Sequence, residues 1–199
     1  MSGDSAPFNL TNHFLIAMPG LEDELFGKSV VYVCEHSERG ALGLVINKPA
    51  DMALTALFDK IDLPLHRADL LGQNVFQGGP VQTERGFVLH ESVVAEGQGE
   101  DESLYSSTMT IPGGLEMTTS KDVLEALSMG SGPKRVLVSL GYAAWGEGQL
   151  ETELGENSWL TVAADQALIF ETPVDQRYER ALGLLGLQSW MISQQAGHA

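Results

Sequence analysis

Between Ser29 and Pro49 the chain reads SVVYVCEHSERGALGLVINKP. Two apolar, β-branched runs, Ser29–His36 and Ala41–Asn47, flank the turn-prone Ser37-Glu38-Arg39-Gly40. That layout predicts an antiparallel hairpin with a short loop. Val30, Tyr32, Cys34 and His36 fall on one face of the first strand, and Val31, Val33 and Glu35 on the other. Leu42, Leu44 and Ile46 alternate with Gly43 and Val45 in the second. Both faces are apolar for most of their length, which places the hairpin in the centre of a sheet covered on both sides.

The same reading carries along the chain. Residues 1–12 read as a loose tail ahead of a short strand, His13–Ala17, stopped by Met18-Pro19-Gly20. Leu21–Lys28 is expected to make one helical turn with Leu21 and Leu25 inward. Asp51 is placed to cap a helix whose apolar positions are Leu54, Leu57, Phe58 and Ile61, ending before Pro64. Leu65–Leu71 fits neither period clearly, with loop as one reading. Val75–Gln77 and Gly86–His90 read as short strands on either side of Gly78-Gly79-Pro80. Ala95–Ser103 reads as a mobile, solvated loop, and Leu104–Ile111 as a strand broken by Pro112-Gly113-Gly114. Ser120 caps a helix over Lys121–Met129, with Val123, Leu124 and Leu127 inward and Gly130 as its stop. Val136–Leu140 is a buried strand entering a sharp turn at Gly141–Gly146, beside a packed aromatic pair. A third helix follows near Gly148–Leu154, then a strand at Trp159–Ala163 and a helix or strand at Gln166–Phe170. A C-terminal helix starts near Val174 and carries Tyr178, Ala181, Leu182 and Leu185.

Composition sharpens this picture at one point, the charge. The 199 residues hold 11 Lys and Arg against 27 Asp and Glu, a formal net charge of −16. No Lys or Arg occurs from Gly86 to Ser120 or from Val136 to Gln176. Nucleic-acid binding begins with cations that displace counterions from phosphate, so direct DNA or RNA contact is not expected. Lys134-Arg135 and Arg177 with Arg180 are the small basic patches that could oppose this. The lone cysteine, Cys34, excludes an intrachain disulfide. MSGDSAPFNLTNHF has neither the basic start nor the apolar core of a signal peptide, and no apolar run reaches membrane-spanning length. A cytoplasmic location without membrane contact is the expectation. With no linker dividing the chain, one domain over 13–199 is expected after the tail.

Four blocks then stand out: FLIAMPGLEDELFGKSVVYVCEH (14–36), GALGLVINKP (40–49), GGPVQTERGFVLH (78–90) and LGYAAWGEGQLETEL (140–154). In order and spacing they resemble the bacterial YqgE/AlgH family, and the closing AGHA (196–199) fits as well. Ala144 stands where the family more often has Gly, and Tyr178 where it usually has Trp. The resemblance implies a single-domain α+β protein with a mostly antiparallel, bent sheet forming a pseudo-barrel wrapped by helices. The biochemical role of family members is largely unassigned, and some carry the label of transcriptional regulator, a phenotype that fold analogy cannot turn into a reaction.

Several residues are candidates for chemistry. Cys34 and His36, two apart on a strand, would point the same way and could form an activated thiolate. The plainer reading is a small core thiol and a hydrogen-bonded histidine. His13, His36 and His90 lie at predicted strand ends, with Glu35 adjacent, and could converge on acid–base or metal chemistry. Their spacing matches no ligand motif, so neither a metal nor a cofactor is expected. Gly78-Gly79 could offer N–H groups to an anion, although Pro80 removes a donor and a tight turn explains the glycines more simply. Asn47-Lys48 and Tyr142 with Trp145 could share a binding groove at strand ends, against the simpler reading of core packing. Glu147, Glu151, Glu153 and Glu156 read as a solvated acidic face which, as a binding feature, would favour a basic protein. The expected function is non-enzymatic regulation through a protein or small-molecule partner. An enzyme using Glu35, His36 and His90 is the alternative.

Overall fold

The computed structural model describes residues 9–21, 23–92 and 104–195. In chain order the strands and helices are β1 (His13–Ala17), β2 (Val30–Ser37), β3 (Gly40–Val45), β4 (Pro49–Ala53), α1 (Leu54–Lys60), β5 (Asn74–Gln77) and β6 (Val81–Glu91). There follow β7 (Thr108–Ile111), β8 (Leu115–Thr118), α2 (Lys121–Ser128), β9 (Val136–Trp145), α3 (Gln149–Gly155), β10 (Trp159–Ala163), α4 (Gln166–Phe170), α5 (Arg177–Gly183) and α6 (Ser189–Gln195). The strands form one sheet in the order β10-β1-β2-β3-β9-β6-β8-β7, antiparallel throughout. Off that path β5 pairs antiparallel with β4 and parallel with β9. The sheet curls into a half-barrel with helices around it, an α+β fold. Among the described residues no helix is long and apolar enough to cross a membrane.

The central hairpin is β2–β3, and each of its faces is buried in a different core. Val30, Tyr32, Cys34, Leu44 and Ile46 pack under the C-terminal helices with Phe14, Leu168, Ile169, Tyr178 and Leu182. Val31, Val33 and Val45 face the opposite way, toward Leu15, Trp145, Leu150 and Trp159. A third cluster seals α1 and α2 onto β5, β6 and β9 through Leu54, Phe58, Val75, Val88, Val123, Leu127 and Val138. Burying an aliphatic or aromatic side chain of this size contributes about 1.5–3 kcal/mol.

The two halves of the sheet meet at β9. Its first half, Val136 to Leu140, pairs with β6 on one side, and Ser139 and Leu140 pair with β5 on the other. Its last residues, Ala143 to Trp145, pair with β3 instead. Gly141, at φ 77°, re-aims the strand between them. The sharp turn expected over Gly141–Gly146 is therefore a bend within one long strand. Gly78 and Gly79 cross this bend at close range. The Gly78 N–H donates to the Leu140 carbonyl at 3.0 Å, and the Gly78 carbonyl accepts from Val45 N–H at 2.9 Å. A Cβ on Gly79 would stand 2.2 Å from the Tyr142 carbonyl carbon, and Gly79 itself sits at φ 155°.

Other expectations are corrected by packing. The helical turn expected within Leu21–Lys28 forms, closed by the Gly27 N–H on the Asp23 carbonyl at 2.7 Å and capped by Asp23 Oδ1, which accepts the Leu25 and Phe26 N–H groups, but Leu25 is not its inward residue. Leu25 is half exposed, and Phe26 takes the inward place beside Trp145 and Trp159. Asp51 caps nothing: it lies in β4, and Ala53 stands at the cap of α1 without a side-chain bond. The strand expected over Leu104–Ile111 is confined to Thr108–Ile111, and Pro112-Gly113-Gly114 turns it into β8. The strand expected at Gly86–His90 begins earlier, at Val81. Gln166–Phe170 is helical, Leu65–Leu71 holds a short 3-10 turn, and α5 starts at Arg177 after a 3-10 turn from Val174. Ala95–Ser103 lies wholly outside the described residues, as do residues 1–8 of the tail. Of that tail, Leu10 is buried and Asn12 N–H bonds to the Val33 carbonyl.

The crossing predicts a sharp contrast between glycines. Gly79→Ala should lose about 3 kcal/mol or more in urea unfolding, from overpacking and a strained backbone. Gly20→Ala, whose Cβ would meet nothing within 4 Å, should stay within about 0.5 kcal/mol of the parent. Equal losses for the two would show that the crossing is not tight.

Candidate functional site

The candidate residues are distributed over separate places. A bulge at Cys34 sets the first of them, since Val33 pairs with Gly43 but Glu35 already pairs with Leu42. A bulge breaks the strict alternation of a strand. Cys34 stays in the core under the C-terminal helices, whereas His36 reaches α3 on the other face. The two do not share a face, contrary to the simple period-two expectation, and no Cys–His pair is formed. Cys34 is 2% exposed, and burial together with the nearby Glu35 charge pushes its thiol well above the usual range. Glu35 itself is exposed.

His36 is 4% exposed and held from both ends of its ring. Leu10 N–H donates to Nδ1 at 2.9 Å, so that nitrogen carries no proton in the bond. The Nε2–H then donates to Glu151 Oε1 at 2.6 Å. That bond holds the Glu151 carboxyl below its ordinary range. Beside the pair lies an open cleft of about 680 Å³ lined by Ser37, Arg39, Glu147 and Glu151 among others. The acidic face of α3 is thus only partly a solvated surface. Glu153 Oε1 accepts from both indoles, Trp145 Nε1 at 3.3 Å and Trp159 Nε1 at 3.1 Å.

Trp145 and Tyr142 do not form the expected aromatic pair. Three residues apart on β9, they face opposite sides of the sheet. Trp145 packs with Phe26 and Trp159, while Tyr142 is half-buried edge-on against Phe87 at 5.2 Å. Asn47 and Lys48 tie down the segment before β2. Asn47 Oδ1 accepts from Val30 N–H, its Nδ2 donates to the Lys28 carbonyl, and Lys48 Nζ donates to the Leu25 carbonyl. Partial burial lowers the Lys48 pKa, with Asp23 opposing the shift. Gly78 and Gly79 serve the backbone crossing; the Gly78 N–H, committed to Leu140, is not offered to an anion.

His90 belongs to a buried network on β6 to β8. Its Nδ1–H donates to the Glu91 carbonyl at 2.8 Å, and Nε2 lies 2.7 Å from Thr118 Oγ1, which in turn lies 2.8 Å from Thr108 Oγ1. In the neutral ring Thr118 donates to Nε2, and the one hydroxyl proton of Thr108 is shared between Thr118 Oγ1 and the Tyr105 carbonyl at 3.0 Å. Tyr105 stands edge-on to the imidazole at 5.7 Å. Burial pushes the His90 pKa below its ordinary 6.5 and the Glu116 pKa above 4.5. His13 bonds to the Thr11 carbonyl at the edge of β1. His13, His36 and His90 therefore have separate partners, and among the described residues no group of three or more His, Cys, Asp or Glu is placed to hold a metal ion.

Arg177, expected in a surface basic patch, is turned inward instead. Arg177 is 6% exposed, at the start of α5, with its guanidinium 5.2 Å over the Phe76 ring. Nε donates to the Thr172 carbonyl at 3.0 Å and Nη1 to the Ile46 carbonyl. The next residue, Tyr178, donates its hydroxyl to the Ala17 carbonyl at 2.6 Å. Together they clamp α5 onto the sheet. No carboxylate pairs with Arg177 among the described residues, and Nη2 has no hydrogen-bond partner there. Burial lowers the Arg177 pKa to about 10, which leaves the cation intact at neutral pH. It lines a cleft of about 360 Å³ with Phe76, Leu137, Ile169, Phe170 and Val174. The signal for its inward turn was present in the helical period, because Arg177 is four residues before buried Ala181. Arg135, from the other supposed patch, is paired with Glu171.

The His90 network predicts a pH dependence with a definite sign. Because the folded pKa is depressed, the unfolded chain binds the extra proton. The stability this contributes is complete above 6.5 and is lost as the pH falls through that value toward the lower folded pKa. Urea unfolding should show the protein weakening between about pH 7.5 and about pH 5.5, and His90→Gln should flatten that slope. An unchanged slope in the variant would assign the effect elsewhere.

Comparison with known proteins places this geometry in a family. Residues 14–190 match the family described as AlgH-like. A UPF0301 protein of an Acidovorax species is 73% identical over 199 residues, covering 100% of both chains, and one of Delftia acidovorans is 72% identical over the same coverage. The solution structure of the AlgH protein from Pseudomonas aeruginosa is similar at a TM-score of 0.74 and 45% identity, covering 98% of each chain. A crystal structure from Corynebacterium diphtheriae, at 21% identity and a TM-score of 0.67 over 87% of this chain and 85% of that one, shares the fold. The chain belongs to the AlgH-like UPF0301 family.

Proposed function

We propose that this chain is a non-catalytic, cytoplasmic binding module that acts in regulation through a small ligand or a protein partner. One observation carries the reading: the side chains best suited to chemistry are committed inside the fold. The Cys34 thiol is sealed in the core and held protonated. The ring nitrogens of His36 and of His90 are all engaged in hydrogen bonds. A general base must be within reach of a substrate proton, and neither imidazole has a nitrogen to spare for one. The charge of −16 supports regulation without direct contact to DNA.

The test is a thermal-shift screen of the full chain against fractions of a bacterial small-metabolite extract, with duplex DNA as a separate arm. A fraction should raise the melting temperature by about 2 °C or more in a saturable way. Cys34→Ala and His90→Gln should respond as the parent does. Turnover of the active compound that stops in either variant would replace binding with catalysis. Salt-sensitive retention of duplex DNA at physiological ionic strength would overturn the exclusion of nucleic acid.

A further inference from the structure

We propose that the cleft beneath α4 and α5 is a binding site for a monoanionic organic acid, its carboxylate on Arg177 and its apolar body along Phe76, Leu137, Ile169 and Phe170. This deepens the binding reading above and rests on it, since the ligand is held and not converted. Three features of the site define the ligand.

The first is charge. A guanidinium taken out of water without an anion carries a desolvation cost that carbonyl dipoles and an aromatic face offset only in part. Arg177 is in that situation: it is 94% shielded, with two carbonyls and the Phe76 ring for company and no carboxylate among the described residues. Among the described residues its Nη2 has no hydrogen-bond partner, and the residue lines the cleft. A carboxylate accepting from that edge of the fork would supply the missing charge.

The second is shape and lining. At about 360 Å³ the cleft is within the range of small-molecule sites and far larger than one carboxylate requires. Pro49, Val136, Pro173 and Val174 extend its apolar wall. An inorganic anion would leave that wall bare to water, whereas a medium-chain or aryl acid covers it. Gln73, Asn74 and Thr172 add neutral polar groups.

The third is valence. Of the residues lining the cleft, Arg177 is the one cation, and the nearby Arg135 is already paired with Glu171. A dianion such as a phosphate monoester would bury a second negative charge without compensation, within a chain of net charge −16. A single carboxylate balances the site. The position of Arg177 also gives binding a mechanical consequence. The same guanidinium holds the Ile46 carbonyl at the end of the central hairpin and the Thr172 carbonyl ahead of α5. A ligand on its remaining edge stiffens that joint.

The experiment titrates the full chain with sodium octanoate, with 1-octanol as the neutral counterpart and with sodium phosphate, reading backbone amide shifts by NMR. Octanoate should move the amides of Phe76, Leu137, Ile169 and Val174 and saturate. 1-Octanol should bind about tenfold or more weakly, having no charge to pair with Arg177. Arg177→Lys should weaken octanoate by about tenfold or more, because an ammonium does not reproduce the fork. Asn74→Glu, at an exposed lining position, should weaken octanoate several-fold with the melting temperature unchanged, which separates charge from folding. Equal affinity for octanoate and 1-octanol, or an Asn74→Glu variant that binds as the parent does, would overturn the anion assignment. Phosphate saturating these amides where octanoate does not would overturn the monocarboxylate class and leave the binding reading standing. If no probe moves them, this proposal falls, and the wider reading falls with it only if every metabolite fraction also fails.

Discussion

The fold depends on two stretches of backbone being allowed to touch. Gly78-Gly79 lies against the bend of β9 at distances no side chain would permit, and Gly141 makes that bend. Through it, one strand pairs with β5 and β6 at its start and with β3 at its end. The curl of the sheet follows, because a strand re-aimed part-way along carries its partners around with it. The separation into cores on opposite faces of the sheet follows as well. The central hairpin can be apolar on both sides only because helices close each face, α4 and α5 on one and α3 on the other.

Most buried polar side chains are paired within this arrangement, the Tyr105 hydroxyl and Glu116 Oε2 being left without a partner among the described residues. His36 ties Leu10 to α3, Glu153 collects both indoles, and Asn47 closes the segment between Lys28 and Val30. The His36 and Asn47 bonds join parts of the chain far apart in sequence, the Glu153 bonds gather neighbouring elements, and each places a donor opposite an acceptor. Arg177 departs from the pattern. It anchors α5 through two carbonyls, yet among the described residues no carboxylate answers its charge where it lines a cleft of mixed apolar and neutral polar groups. A residue that serves the fold and also carries an unmet electrostatic demand is where a structural role and a binding role can coincide.

Period and punctuation were enough for much of the fold. His13–Ala17 and Trp159–Ala163 form the strands expected of them, the hairpin lies where alternation put it, and Gly130 ends α2 at φ 86°. The misses have a common origin. Leu115–Thr118 is too short and mixed to announce itself, and it becomes a strand by pairing with β6 and β7. Asp51 looked like a cap, but pairing with β5 drew Pro49–Ala53 into the sheet and moved the helix start to Ala53. Local preference amounts to tenths of a kcal/mol, and a ladder or a packed face outweighs it.

The candidate site was legible only in its parts. The sequence by itself determined which side chains could do chemistry, which strongly alternating runs would be strands, and that the chain would be strongly anionic. Those are properties of composition and of spacing within one element. The tertiary structure decided which of these groups meet. A one-residue bulge parted Cys34 from His36, a strand's two faces parted Tyr142 from Trp145, and Arg177 turned from the surface into a cleft. Each outcome depends on the partner that a strand or helix acquires from a distant part of the chain, and no local pattern encodes that partner.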